Sequence, residues 1–293
     1  MSDRLAERGV ALLAVVWTVA LLTVLAAAFT STTRTETRLA RNVVEQAQAR
    51  AVAQAALNYV AFDLLRPVDQ RRFPADGTAV PWTFAGFETV LRINDVAGRI
   101  DLNAADRETL SGVFEQAGVE AGDLDRVLDE IEDWRDVDDL RRLSGAEDED
   151  YRAVGRMAGA KDAPFESVDE LQQLLSVDAR LVARVRDALT VYSGSAKVSA
   201  SVVSPGALHA LPGVDHELID QYLEERAAAH RDGIEAPQVP VAGLGLSGAE
   251  GRAYIVEISA RSPGGVKGSL AVTLMPGTID GFLRTIEWRE QGI

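Results

Sequence analysis

At 293 residues with 47% hydrophobic side chains, the chain has material for one large folded unit or two ordinary ones. A formal net charge of −15 argues against a nucleic-acid backbone as partner, since that requires clustered Lys and Arg. The absence of cysteine excludes disulfides, thiol catalysis and cysteine-ligated zinc, and the three histidines (His209, His216 and His230) are too scattered along the chain to suggest a His-rich metal site.

The first element is an uncharged run, Val10 to Phe29, with Thr18 and Thr23 as its polar members. Twenty helical residues rise about 30 Å, the thickness of a bilayer's hydrocarbon core. A soluble helix of that length would show a polar stripe, and this one has none, so it is read as membrane-inserting. Three explanations compete. Arg4 and Arg8 followed by Ala26-Ala27-Ala28 resemble a secretory signal peptide and its cleavage site, but the apolar run exceeds the roughly 7–15 residues usual there. In a plain anchor, Arg4 and Arg8 would keep the short N-terminus in the cytoplasm. In the third, Met1–Gly9 is a short charged leader ending in Gly, cut between Gly9 and Val10 so that the apolar helix is kept, as in type IV pilin-like proteins.

The next segment favours the third. Residues 34–66 lack Gly and Pro and are rich in Ala, Leu, Gln, Arg and Glu, all good helix formers. Apolar residues recur at helical spacing at Val44, Ala47, Ala51 and Ala55, then at Leu57, Val60, Ala61 and Leu64. The helix is expected from Val10 to about Arg66, where Pro67 stops it. A discarded signal has no reason to continue into a long amphipathic helix.

Beyond it, Phe87–Asn103 alternates apolar and polar residues and is broken by Asn94-Asp95 and Gly98, which predicts a β-hairpin. Six short helices are expected at 106–117, 122–134, 167–175, 178–189, 204–211 and 215–230, the first capped by Asp106 or Asn103. Strands are expected in Arg252–Ser262, Val266–Met275 and Phe282–Glu290, with turns at Pro263-Gly264-Gly265 and Pro276-Gly277. The fold class is therefore α+β: a small antiparallel sheet interrupted by a helical region of about residues 103–250.

Leu211-Pro212-Gly213-Val214 has the look of a helix-hairpin-helix turn. Binding DNA phosphates there needs a second glycine and nearby Lys or Arg, whereas Asp215, His216 and Glu217 follow, so a packing turn is the simpler reading. Gly243–Gly248, GLGLSG, matches G-x-G-x-x-G, but prolines precede it and Gly251 follows, which makes it a loop. No catalytic motif is found, and the chain is not expected to be an enzyme.

The segments INDVAGRIDLNAADRETL, IEDWRDVDD, SGAEDEDY, PFESVDELQQLLSV and SASVVSPGALHALPGV occur in the order found in the K-type minor pseudopilin of type II secretion, a member of the type IV pilin-like superfamily. The resemblance runs from Arg8 to Trp288. Two departures stand out. The fifth residue after the expected cleavage is Ala14, where most of the superfamily has Glu, and the K-type member is the one that typically lacks it. A strand rich in Asn in the family reads VSASVV here.

The resemblance implies a pilin-like fold divided as follows: a leader over 1–9, the long helix over 10–66, the first part of a β domain over 67–102, a helical insert over 103–250 and the closing strands over 251–293. It implies an inner-membrane, single-pass protein with a periplasmic head, processed by prepilin peptidase and methylated. Such a protein would cap the pseudopilus beside the I-type and J-type minor pseudopilins, with Val44, Ala47, Ala51 and Ala55 as the helix face offered to them. The alternatives are a secreted helix-hairpin-helix DNA-binding protein or a minor pilin of a type IV pilus.

Residues 101–150 hold eighteen acids against five arginines. The dense part, Asp133, Asp136, Asp138, Asp139, Glu147 and Asp148, offers hard oxygen donors of the kind Ca²⁺ takes. No glycine stands at the sixth position from Asp133 or Asp136, so the spacing is not that of an EF-hand. A solvated acidic loop, partly neutralised by Arg141 and Arg142, is the alternative. Composition alone favours that loop, whereas the resemblance supports calcium, because K-type heads bind it, and both readings stay open.

Overall fold

A computed structural model describes residues 3–242, 244–245, 247–277 and 282–291. Helix α1 runs over Asp3–Leu64, 62 residues and about 93 Å. It starts upstream of the expected Val10, because nothing in the leader breaks it, and Gly9 lies within it. At its far end Arg71 donates to the carbonyls of Leu64 and Arg66 and to the Tyr254 hydroxyl, satisfying acceptors that the last helical turn leaves open. The buried Asp63 carboxylate accepts from the Arg72 and Phe73 amides and folds the chain back past Pro67.

Strands β1 (Val80–Phe84) and β2 (Phe87–Asp95) follow as a tight hairpin. Its two turn residues, Ala85 and Gly86, both have positive φ, the geometry that suits the strand twist. The hairpin expected within Phe87–Asn103 does not form. Strand β2 runs unbroken to Asp95, whose carboxylate accepts from the Ala97 amide and opens a 3-10 turn over Val96–Gly98. The short β3 (Ile100–Asp101) then pairs in parallel with a distant strand, β4 (Leu189–Thr190).

Between β3 and the closing strands come α2 (Arg107–Gln116), α3 (Ala121–Arg135), α4 (Asp148–Ala153), α5 (Ala179–Val185), α6 (Pro205–Ala210) and α7 (His216–Asp232). The expected helix at 167–175 is a 3-10 helix, Val168–Gln173, and VSASVV holds another, Ala200–Val202, in place of a strand. Side chains of Asp106, Ser167, Asp178, Ser204 and Asp215 cap the starts of their helices, which is why these boundaries are readable. Phe114, Ile131, Tyr151, Leu171, Leu174, Leu189 and Leu208 form the helical region's own core.

The chain returns to the sheet with β5 (Tyr254–Arg261), β6 (Lys267–Pro276) and β7 (Leu283–Gln291). The five long strands lie in the order β1-β2-β5-β6-β7, all antiparallel. One face, with Leu91, Ile93, Val256, Ile258, Leu270 and Val272, packs on Ala49, Val52, Ala53, Ala56 and Val60 of α1. Small residues let the layers meet: a Cβ on Gly268 would lie 3.1 Å from that of Ala49. The helical region is locked to this unit through Asp76, which is buried between Arg226 (3.3 Å) and His230 (2.8 Å) of α7.

Candidate anchor, helix face and metal centre

Three features could carry function. The first is the membrane-length part of α1. Leu12–Thr30 has a mean hydropathy of 2.5, and none of it is buried inside the fold. Leu12, Trp17 and Phe29 are all more than two-thirds exposed, an apolar surface of a size that needs another phase or subunit. The hydroxyls of Thr18, Thr23 and Thr30 donate to carbonyls four residues back, so the helix satisfies its own polar atoms. Its length and composition suit a single membrane anchor.

The second is the exposed stripe of the amphipathic half. The sheet covers the face carrying Ala49, Val52, Ala53, Ala56 and Val60. The stripe read from the sequence lies on a different face: Val44, Ala47 and Ala51 are exposed and Ala55 is half-buried. The chain's own sheet does not use it, and its small side chains would let another helix approach closely.

The third is the acidic region. Helix α3 delivers Asp133, the segment after it delivers Asp136, Asp138 and Asp139, and α4 starts from its N-cap residue Glu147. The six acids do not converge on one point. Arg142 reaches Glu132 at 2.7 Å, Asp133 at 2.9 Å and Asp136 at 2.6 Å. Asp138 accepts from the Leu140 amide, Asp148 pairs with Arg152, and Arg141 is paired with Asp150. Asp139 and Glu147 do come together, and the third member is Asp162, with one carboxylate oxygen from each lying within 4.8 Å of the others.

Asp162 was not singled out from the sequence. It stands alone in AKDAP, outside the acidic run, and is turned inward by a left-handed backbone, φ 53°, a conformation in which Asp is enriched among non-glycine residues. Both carboxylate oxygens of Glu147, one of Asp162 and one of Asp136 are buried with no hydrogen-bond partner. Burial, together with the charges of Asp133, Asp162, Asp136 and Asp139, pushes Glu147 up to about 7. Burial and the charges of Asp139, Asp148 and Asp136 also raise Asp162. Convergent, under-satisfied carboxylate oxygens with no donor among them are what a hard divalent cation neutralises, so these residues fit Ca²⁺.

The α6–α7 turn has the shape of a helix-hairpin-helix, with Gly213 at φ 70°. Asp215 Oδ1, however, accepts from the Glu217 and Leu218 amides, the groups that would otherwise be free to hold a phosphate at the start of α7. In GLGLSG, Gly243 and Leu246 lie outside the described residues, and Gly245 bridges to Ser199.

Comparison with known proteins gives three similarities. Residues 91–194 match the family model for the type II secretion system (T2SS), protein K. The putative type II secretion system protein K of Escherichia coli strain K12 is 27% identical over 198 residues, which is 61% of this chain and 61% of that protein. The chain thus spans about three-fifths of the length of the curated relative it matches. A chain in the crystal structure of the GspK-GspI-GspJ complex from the enterotoxigenic Escherichia coli type 2 secretion system superposes with a TM-score of 0.55. That match covers 89% of this chain and 99% of the other at 12% identity, and is a likeness of fold.

Proposed function

We propose, from the match of residues 91–194 to the family model for type II secretion system protein K, that the chain is a K-type minor pseudopilin at the tip of the pseudopilus, where it initiates assembly and serves protein export across the outer membrane. The observation that carries this reading is one helix with two jobs. Its first half is apolar and exposed, its second half bears the sheet, and a large helical region is spliced between two neighbouring strands. Bulk of that kind on the head would obstruct a further subunit stacked above it, which suits a cap. Ala14 suits it too: a top subunit has no neighbour above whose N-terminal amine a glutamate would meet.

In this reading α1 anchors the protein in the inner membrane with its head in the periplasm. Prepilin peptidase cuts between Gly9 and Val10, and the new N-terminus is methylated. The I-type and J-type minor pseudopilins pack on the stripe of Val44, Ala47, Ala51 and Ala55. Asp139, Glu147 and Asp162, with Asp136 beside them, hold Ca²⁺, which rigidifies the segment between α3 and α4. The role is structural, with no reaction catalysed.

The test is the N-terminus of the mature protein, isolated from membranes and read by mass spectrometry. A start at Val10 with a methylated amine is expected. A start at Phe29 would mean signal-peptidase cleavage after Ala28 and would overturn the pseudopilin reading.

A further inference from the structure

We propose a transition-metal site at the α6–α7 turn, formed by His209 and His216 and suited to Zn²⁺ or Cu²⁺. It is separate from the carboxylate cluster and opposite to it in donor chemistry. His209 lies in the last turn of α6 and His216 is the first residue of α7, and the reversal at Gly213 brings the two rings side by side. Their Nδ1 atoms are 3.2 Å apart, and the ring planes differ by 16°. Two imidazole nitrogens sharing one tetrahedral metal, each about 2.0–2.1 Å from it, stand roughly 3.4 Å apart. The pair is therefore already at chelating distance with no movement of the backbone.

Two further observations point to a cation there. Asp220, one helical turn beyond His216, places Oδ1 3.2 Å from Nε2 of His209, on the far side of the ring. A carboxylate there accepts a hydrogen bond from Nε2–H and leaves Nδ1 as the lone-pair donor, the arrangement common behind metal-bound histidines. The stretch from Pro205 to Glu225 contains Asp215, Glu217, Asp220, Glu224 and Glu225 and no Lys or Arg, so the local field favours a positive ion. Both rings reach solvent, and water fills the remaining coordination positions. Imidazole nitrogen selects Zn²⁺ or Cu²⁺ over Ca²⁺, so the two sites would not compete for the same ion.

The experiment uses the full chain in detergent with millimolar Ca²⁺ present throughout. Zn²⁺ is titrated calorimetrically, and Cu²⁺ is added at one equivalent for electron paramagnetic resonance. One equivalent of Zn²⁺ should bind, and the Cu²⁺ spectrum should show coupling to two imidazole nitrogens. His209→Gln and His216→Gln should each lose the Zn²⁺ isotherm, and Asp220→Asn should weaken it about ten- to a hundred-fold with both ligands intact. Wild type and the double His variant binding Zn²⁺ alike would overturn the site. So would a Cu²⁺ spectrum of oxygen coordination alone, a result that depends on no variant folding.

Discussion

Both carboxylate oxygens of Glu147 are buried without a donor, and acidic neighbours surround them. With its value pushed up to about 7 from the ordinary 4.5, the native state holds this proton more tightly than the unfolded chain does. The stabilising effect is complete below the lower value and is lost as pH rises through the upper one. In chelator, the wild-type protein should therefore melt at a lower temperature at pH 7.5 than at pH 5. Glu147→Gln should shrink that difference. Calcium acts in the other direction: at pH 7.5 it should raise the melting temperature, by about 2.7 kcal/mol of stability at a hundred times its Kd. Identical melts in EDTA and in millimolar Ca²⁺ would leave the acids as a solvated loop. At this scale the sequence was half legible. A dense acidic run shows that oxygen donors are available, but Arg142 claims Asp133 and Asp136, and Asp162 arrives from outside the run. Neither event leaves a periodic trace. Nor does the meeting of His209 and His216, which depends on a turn between two helices.

Helix against helix, contact distance is set by single glycines. A Cβ on Gly112 of α2 would lie 2.3 Å from the Ala210 carbonyl at the end of α6, whereas one on Gly122 of α3 would meet nothing within 4 Å. Alanine is the better helix former by about 1 kcal/mol. Gly112→Ala should nonetheless destabilise the protein by roughly 1–3 kcal/mol, because backbone must move to admit it, while Gly122→Ala should be neutral or stabilising. Urea denaturation of the pair decides the point, and equal midpoints would show that α2 and α6 slide apart freely. The elements most legible in the sequence were those with their own local signals, a polar cap followed by apolar spacing, or a turn between alternating strands. Those without such signals were missed. Strand β1 carries Pro81, which an edge strand tolerates but which argues against a strand when read alone. Helix α4 lies hidden in the acidic run, and the β3–β4 pair joins residues almost ninety positions apart.

At the scale of the molecule, two surfaces matter. Asp76 joins the helix–sheet unit to α7, and Arg226, only 3% exposed, relies on it. Asp76→Ala strands that guanidinium and should cost about 3–5 kcal/mol in equilibrium unfolding. A loss below 1 kcal/mol would show that the two carbonyls Arg226 also reaches, of Val203 and Asp76, suffice to hold it. The open stripe of α1 faces outward, so Ala51→Glu should leave the fold intact and weaken co-purification with I-type and J-type partners. Unchanged recovery of that complex would move the interface elsewhere.

The order of strands has a kinetic meaning as well. Asp95 and Tyr254 are direct partners across β2 and β5, so these strands are the arms of a hairpin whose loop is the entire helical region. An open chain of that length closes slowly and at an entropic cost that grows with the logarithm of its length. Once the helical region has folded on its own core, its two ends stand side by side and that cost has already been met. As the chain emerges from its N-terminus, α1 and the β1–β2 hairpin come first, and β2 keeps an unpaired edge until β5 arrives behind the folded helices. The central pairing of the sheet is thus expected to form only after the helical region has folded, and a chain cut short within the helical region would keep its anchor and its hairpin but never complete the surface that α1 packs against.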